Sequence, residues 1–184
     1  MELQLLSEEY KGYPIHVSYQ SAYVYEPVLY QQEHQFGVLF ERTPLKEPMQ
    51  CGFEDTLLAD WLEQPFAIGA FENGKLLGFI ELSNETWNKR LRISNIFVEP
   101  TSRRNSIGSA LIKEAKRRAN RMNVRALILE TQSCNDPAIH FYIKHGFSFL
   151  GCDLYAHSNQ DIENKNVRIE MIHLLSDEKK NMEQ

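Results

Sequence analysis

Residues 98–112 read VEPTSRRNSIGSALI, a polar loop that leads directly into a helical pattern. The first N–H groups of a helix have no intrahelical acceptor, and the helix dipole adds positive potential at the same end. With the guanidinium groups of Arg103 and Arg104 beside it, this stretch suits phosphate oxygens. The two usual nucleotide fingerprints are missing. No GxxxxGK[ST] occurs, and Gly108 is the sole glycine of a loop where GxGxxG would need three. A helix start beside basic residues is common, so the loop alone specifies an anion and no reaction.

Two groups suited to proton transfer lie downstream. Glu130 closes the apolar run VRALILE, and Tyr142 lies within SCNDPAIHFYIKHGF. A carboxylate at the end of a strand can accept a proton, and a phenol can donate one. Glu81, in FIEL, competes with Glu130 as a base, and water held by backbone carbonyls is a third route. Cys134 lies near these groups but is read as a bystander. The three cysteines show no CxxC pairing, and the six histidines show no metal spacing, so neither a disulfide framework nor a metal site is expected.

These residues need elements to position them. PIHVSYQSAYVYEPVLY and QFGVLFERTP read as extended segments, and FEDTLLADWLEQP reads as a helix from Leu57, Leu58, Trp61 and Leu62. FAIGAFENGKLLGFIEL is a hairpin, because Asn73-Gly74 suits a type I′ turn. RLRISNIFV is a strand with Leu91, Ile93 and Phe97 on one face. The helix after the loop carries Leu111, Ile112, Ala115 and Ala119 as its apolar stripe. VRALILE reads as a central strand. The next helix takes Asp136 as N-cap, Pro137 at N1 and Gly146 after its end. FSFLGCDLY and VRIEMIHLL are closing strands. Residues 1–175 are expected to form a single domain, followed by a polar tail at 176–184.

The net charge of −5 is unevenly spread. Residues 1–86 carry 14 acidic and 4 basic side chains, residues 87–125 carry 2 and 11, and residues 126–184 carry 9 and 5. A basic middle segment suits an anion and the acidic flanks suit a cation. The acidic total argues against nucleic acid. No apolar run is long enough for a membrane span, and MELQLLSEEYKG does not read as a signal peptide, so a cytoplasmic location is expected. Six of the eight tyrosines precede residue 31. They suit half-buried strand positions, or a pocket for a cationic ligand.

With these residues in place, the chain resembles the GNAT N-acetyltransferases. Their pyrophosphate loop reads Gln/Arg-x-x-Gly-x-Gly/Ala, matched by Arg103-x-x-Ser106-x-Gly108 with serine where glycine is usual. Their second segment, Asn-x-x-Ala-x-x-x-Tyr-x-x-x-Gly-Phe, is matched by Asn135, Ala138, Tyr142, Gly146 and Phe147. Between Trp87 and Tyr155 the strings WNKR, IGSALI, LETQ, FY and GF look like the streptothricin acetyltransferase branch.

The resemblance implies an α/β (α+β) GNAT fold: a central mixed, mostly antiparallel sheet with splayed middle strands and helices on both faces. It implies acetyl-CoA as co-substrate and no metal. The pyrophosphate would lie on Arg103, Arg104, Asn105, Ser106, Ile107, Gly108 and Ser109, and the pantetheine arm on the backbone of Ile96, Phe97 and Val98. Asn135 and Tyr142 would complete the cofactor contacts, with Tyr142 as general acid and Glu130 as base. The acceptor would be a small cationic amine, streptothricin-like, met by Glu81 and Asp153 with Glu54, Asp55 and Glu85 nearby. A protein Nα- or Nε-acetyltransferase and a non-catalytic acyl-CoA-binding module are the alternatives. A homodimer is left open.

Overall fold

The computed structural model describes residues 1–175, and the expected tail lies outside them. In chain order these residues form β1 (Glu2–Leu5), β2 (Pro14–Gln32), β3 (Gln35–Thr56), β4 (Phe66–Glu72), β5 (Lys75–Glu85), β6 (Arg90–Val98), α1 (Ile107–Arg121), β7 (Ala126–Gln132), α2 (Asp136–Lys144), β8 (Ser148–Asp153) and β9 (Arg168–Leu174). They divide into two compact units. The first comprises Met1–Val17, Glu54–Leu129 and the chain from Ile172, and the second comprises Ser18–Phe53 and Glu130–Met171.

In the first unit the strand order is β1-β4-β5-β6-β7, with the end of β9 beside β7. Pairing is antiparallel from β1 to β6 and parallel between β6 and β7. The β4–β5 turn falls on Asn73 (φ 51°) and Gly74 (φ 76°), the left-handed pair that a type I′ turn requires. Ile68, Ile80, Leu82, Leu91 and Ile93 are buried, as is the expected α1 stripe of Leu111, Ile112, Ala115 and Ala119. The opposite side of α1 is charged, with Glu114 paired to both Arg117 and Arg118.

The helix expected over FEDTLLADWLEQP is absent. β3 runs on to Thr56 and turns follow it. Leu57, Leu58 and Leu62 are buried as their spacing suggested, while Trp61 is 74% exposed. Two backbone facts exclude a helix: Leu58 and Gln64 have φ of 57° and 45°, and the Leu58 N–H donates to Glu81 Oε1 at 2.5 Å. A buried carboxylate has captured an amide that a helix would have used.

In the second unit β2 and β3 pair as a long two-stranded ribbon, and β8 lies beside β9. Tyr19, Tyr23 and Tyr25 are half-buried on β2. The N-cap of α2 is Asn135, one residue before the expected Asp136, because Asn135 Oδ1 accepts the Ala138 N–H at 3.3 Å. Gly146, at φ 73°, follows the helix end as expected. The loop between β8 and β9 is organised by buried Asp161. Burial alone would raise its pKa, but the His157 N–H and the Ser158 hydroxyl hold the carboxyl below the usual range.

Glu81 is fully buried. Replacing it with Ala strands the Leu58 N–H and one N–H of the Asn95 amide, which keeps only its bond to Asp55. Such losses cost about 1–3 kcal/mol each, so Glu81→Ala should lose about 2–4 kcal/mol in urea unfolding. A variant as stable as the parent would contradict this account of the turn.

Candidate active site

The anion loop follows β6 through a 3-10 turn, Pro100–Ser102. Arg104 and Ser106 both take left-handed conformations, at φ 65° and 61°. Left-handed residues are one half of the alternating right- and left-handed pattern that turns successive N–H groups toward one side as an anion nest. Arg103 Nε donates to the Val98 carbonyl at 3.1 Å and ties the loop back to the strand end. Residues 103–106 are exposed and Ile107 is buried, so α1 is anchored by its first residue while the loop faces solvent. The first helical bond runs from the Ala110 N–H to the Ser106 carbonyl at 3.0 Å. Ser106 makes no side-chain cap, so its hydroxyl does not offset its backbone conformation. Left-handed backbone costs an L-residue about 1–2 kcal/mol and costs glycine almost nothing. The serine therefore carries strain that the usual glycine would avoid.

The strand before the loop supplies the second feature. β6 pairs with β7 only from Arg90/Ala126 to Ile93/Leu129, then continues to Val98. Ser94 is an extra residue in the β5–β6 ladder, since Glu81 faces Asn95 while Leu82 faces Ile93. A bulge bends its strand, and this one lies where the parallel pairing stops. Ile96, Phe97 and Val98, the expected pantetheine-binding residues, all lie past the last β6–β7 pair while still paired to β5. Gly78 makes that pairing possible. A Cβ there would lie 2.5 Å from the Phe97 carbonyl oxygen and 3.1 Å from Val98 Cα.

Beside the bulge lies a buried polar group. Asn95 Nδ2 donates to Glu81 Oε2 and to Asp55 Oδ2, both at 2.8 Å. Desolvation raises the Glu81 pKa above its ordinary value, opposed by the bonds from Asn95 and Leu58, while the nearby charge of Asp55 raises it further. Glu81 thus has both oxygens engaged and no exposure, whereas Asp55 is half-buried and reaches solvent. Glu54 is exposed beside His16. Glu85 is neutralised by Arg90 and Arg92, at 2.6 and 2.7 Å. Burial opposes these two cations, but they hold its carboxyl below the usual range.

The other expected residues lie in the second unit. Tyr142 is buried on α2, its ring edge-on to Phe147 at 5.9 Å. Burial pushes its phenol well above the usual range, so it carries its proton at neutral pH. Asn135 is committed to the α2 cap. Glu130 has a side chain 42% exposed, 3.9 Å from Arg168 Nη1, and Arg168 Nη2 lies 3.2 Å from Asp153. One guanidinium therefore links the expected base to an expected acceptor residue. Cys134 is buried with its Sγ 3.6 Å from the Tyr19 hydroxyl. Among the described residues, no group of three or more His, Cys, Asp or Glu could hold a metal ion, and no helix is long and apolar enough to cross a membrane.

Asn95 and Arg168 were missed from sequence. In sequence Asn95 stands in phase with Leu91, Ile93 and Phe97, but the Ser94 bulge reverses the alternation. Leu91 and Ile93 pair with Asn84 and Leu82, whereas Asn95 and Phe97 pair with Glu81 and Phe79 on the opposite face. The expected shared face of Leu91, Ile93 and Phe97 therefore does not hold. Nothing in the sequence marked Arg168.

The model of the GNAT acetyltransferase family matches residues 28–147. The chain belongs to the GNAT acetyltransferase family, with the mixed, mostly antiparallel sheet of that fold. It is 41% identical over 87 residues to the streptothricin acetyltransferase of Streptomyces lavendulae, covering 47% of this chain and 45% of that one. It is 38% identical over 98 residues to the streptothricin acetyltransferase of Escherichia coli, covering 53% and 56%. The match thus spans about half the length of these relatives. A Bacillus anthracis protein assigned as a streptothricin acetyltransferase, solved with acetyl coenzyme A, shares the fold at TM-score 0.67 and 21% identity, over 95% of this chain and 99% of that one.

Ser106→Gly removes the left-handed penalty at the loop. It should raise stability by about 0.5–1 kcal/mol in urea unfolding. A less stable variant would show that the serine side chain stabilises the loop.

Proposed function

We propose that the protein is an acetyl-CoA-dependent N-acetyltransferase acting on a primary amine of a small polycationic acceptor, with streptothricin as first choice. The observation that carries this reading is the anion loop at the start of α1, directly after a strand that leaves its parallel neighbour at Ile93. Family membership and the names of the relatives support it.

Acetyl-CoA, when bound, supplies a thioester whose carbonyl carbon bonds to the amine nitrogen as the carbon–sulfur bond breaks. The loop N–H groups from Arg104 to Ser109, with the side chains of Arg103 and Arg104, are assigned to the pyrophosphate. The backbone of Ile96, Phe97 and Val98 is assigned to the pantetheine arm. An alkyl ammonium has a pKa near 10 and cannot attack until it loses a proton. Glu130 takes that proton in this scheme, and its partial exposure lets it return the proton to water. Tyr142 keeps its own proton until a thiolate develops and then donates it, and the second proton that the nitrogen sheds as the amide forms restores the phenol. Glu81 serves otherwise: buried and bonded at both oxygens, it fixes the Asn95 amide, which also donates to Asp55, and Asp55 and Asp153 are each assigned to cations of the acceptor. The acidic surplus of residues 1–86 would concentrate such an acceptor in a salt-dependent way.

Two measurements test this. Glu130→Gln should lose most activity near neutral pH and recover part of it at high pH, where more amine is already neutral. Uniform loss at every pH would remove Glu130 from the role of base. With the parent protein, kcat/KM is compared for streptothricin, a polyamine, an aminoglycoside and a short peptide, each at low and high salt. A polycation should be preferred, by a margin that shrinks as salt rises. Preference for the peptide at both salts would replace this reading with protein acetylation.

A further inference from the structure

We propose that Arg42 is a positioning residue for Tyr142, acting through the first turn of α2. The proposal rests on the reading of Tyr142 as proton donor. α2 is nine residues long, too short to persist without tertiary contacts, so its placement must be imposed from outside. Arg42, on β3, imposes it at the first residue. Its Nε donates to Asp136 Oδ1 at 2.7 Å and its Nη2 to Asp136 Oδ2 at 3.2 Å, a two-pronged contact. The Asp136 side chain is only 13% exposed while that of Arg42 is 37% exposed, so the carboxylate is the shielded end of the pair.

The guanidinium is itself held in place. It lies over the Tyr23 ring on β2, with Cζ 3.4 Å from the centroid, so both ribbon strands fix its plane. On the helix, His140 Nδ1 lies 3.0 Å from the Asp136 carbonyl oxygen and 3.0 Å from its Oδ1, with its ring 6.3 Å from that of Tyr25. The ribbon therefore meets α2 twice, through Arg42, backed by Tyr23, at Asp136 and through Tyr25 at His140. Tyr142 stands six residues beyond Asp136, about 9 Å along the axis, so a tilt of about 10° about the first turn moves it by more than ~1 Å. Displacements near 1 Å can cost about 10²-fold in rate.

Arg42→Lys keeps the charge and removes both the fork and the planar stack. It is compared with the parent, Tyr142→Phe and the double variant, by kcat with saturating streptothricin and KM for acetyl-CoA. Arg42→Lys should lower kcat about 10-fold with KM for acetyl-CoA within about 2-fold, and Tyr142→Phe should lower kcat about 10²-fold. The double variant should be no slower than Tyr142→Phe alone, because a residue acting through the phenol has nothing left to position. If the two losses multiply, Arg42 acts by another route and the proposal fails. An Arg42→Lys variant at the parent rate overturns the proposal and leaves the role of Tyr142 standing. A Tyr142→Phe variant at the parent rate overturns the proton-donor reading and the proposal with it. Should Arg42→Lys fold poorly, Asp136→Asn breaks the same contact from the helix side and must show the same dependence on Tyr142.

Discussion

The structure of the site depends on where two parallel strands stop pairing. β6 and β7 share hydrogen bonds only as far as Ile93 and Leu129, yet β6 runs on to Val98 with its other edge still paired to β5. Backbone polar groups on a strand must find partners, and Ser94 supplies the bend that turns this stretch away from its neighbour. The anion loop begins where that strand ends, held to it by Arg103 on the Val98 carbonyl. Strand edge and loop are therefore one continuous piece of backbone, and an amide-bearing ligand with a terminal phosphate group would suit both.

The same bulge explains the buried carboxylate. Glu81 and Asn95 face each other at the irregularity, and a charged group placed there must be bonded or remain neutral. Asn95 and the Leu58 N–H provide the bonds, and the price is a left-handed Leu58 where the apolar spacing suggested a helix. Leu57, Leu58 and Leu62 are buried in either geometry. Periodicity reports which side chains go inside, and it cannot report that a distant carboxylate will take an amide.

That distinction separates what could be read from what could not. Asn73-Gly74, the stripe of α1 and the Asn135 to Phe147 segment were legible because each is local: a turn type, a 3.6-residue period, a cap followed by a glycine stop. The basic loop was legible as a polar turn from strand to helix, and Ser106 as a departure from glycine, although its left-handed backbone became visible only in three dimensions. The Ser94 bulge, the Leu58 turn and the Arg42–Asp136 pair, 94 residues apart in sequence, arise from tertiary contacts that leave no periodic trace. Asn95 belongs with these, since the bulge puts it on the face opposite the one its sequence phase implied.

The central claim is that one stretch of backbone, from the end of β6 into the first turn of α1, receives acetyl-CoA. Backbone amide resonances of the intact protein, followed during titration with acetyl-CoA, test it most directly. The account predicts that the largest shifts cluster at Ile96 to Val98 and Arg104 to Ser109, with saturation at a single affinity. Shifts confined to other segments, such as the basic face of α1, with those two stretches unmoved, would contradict it.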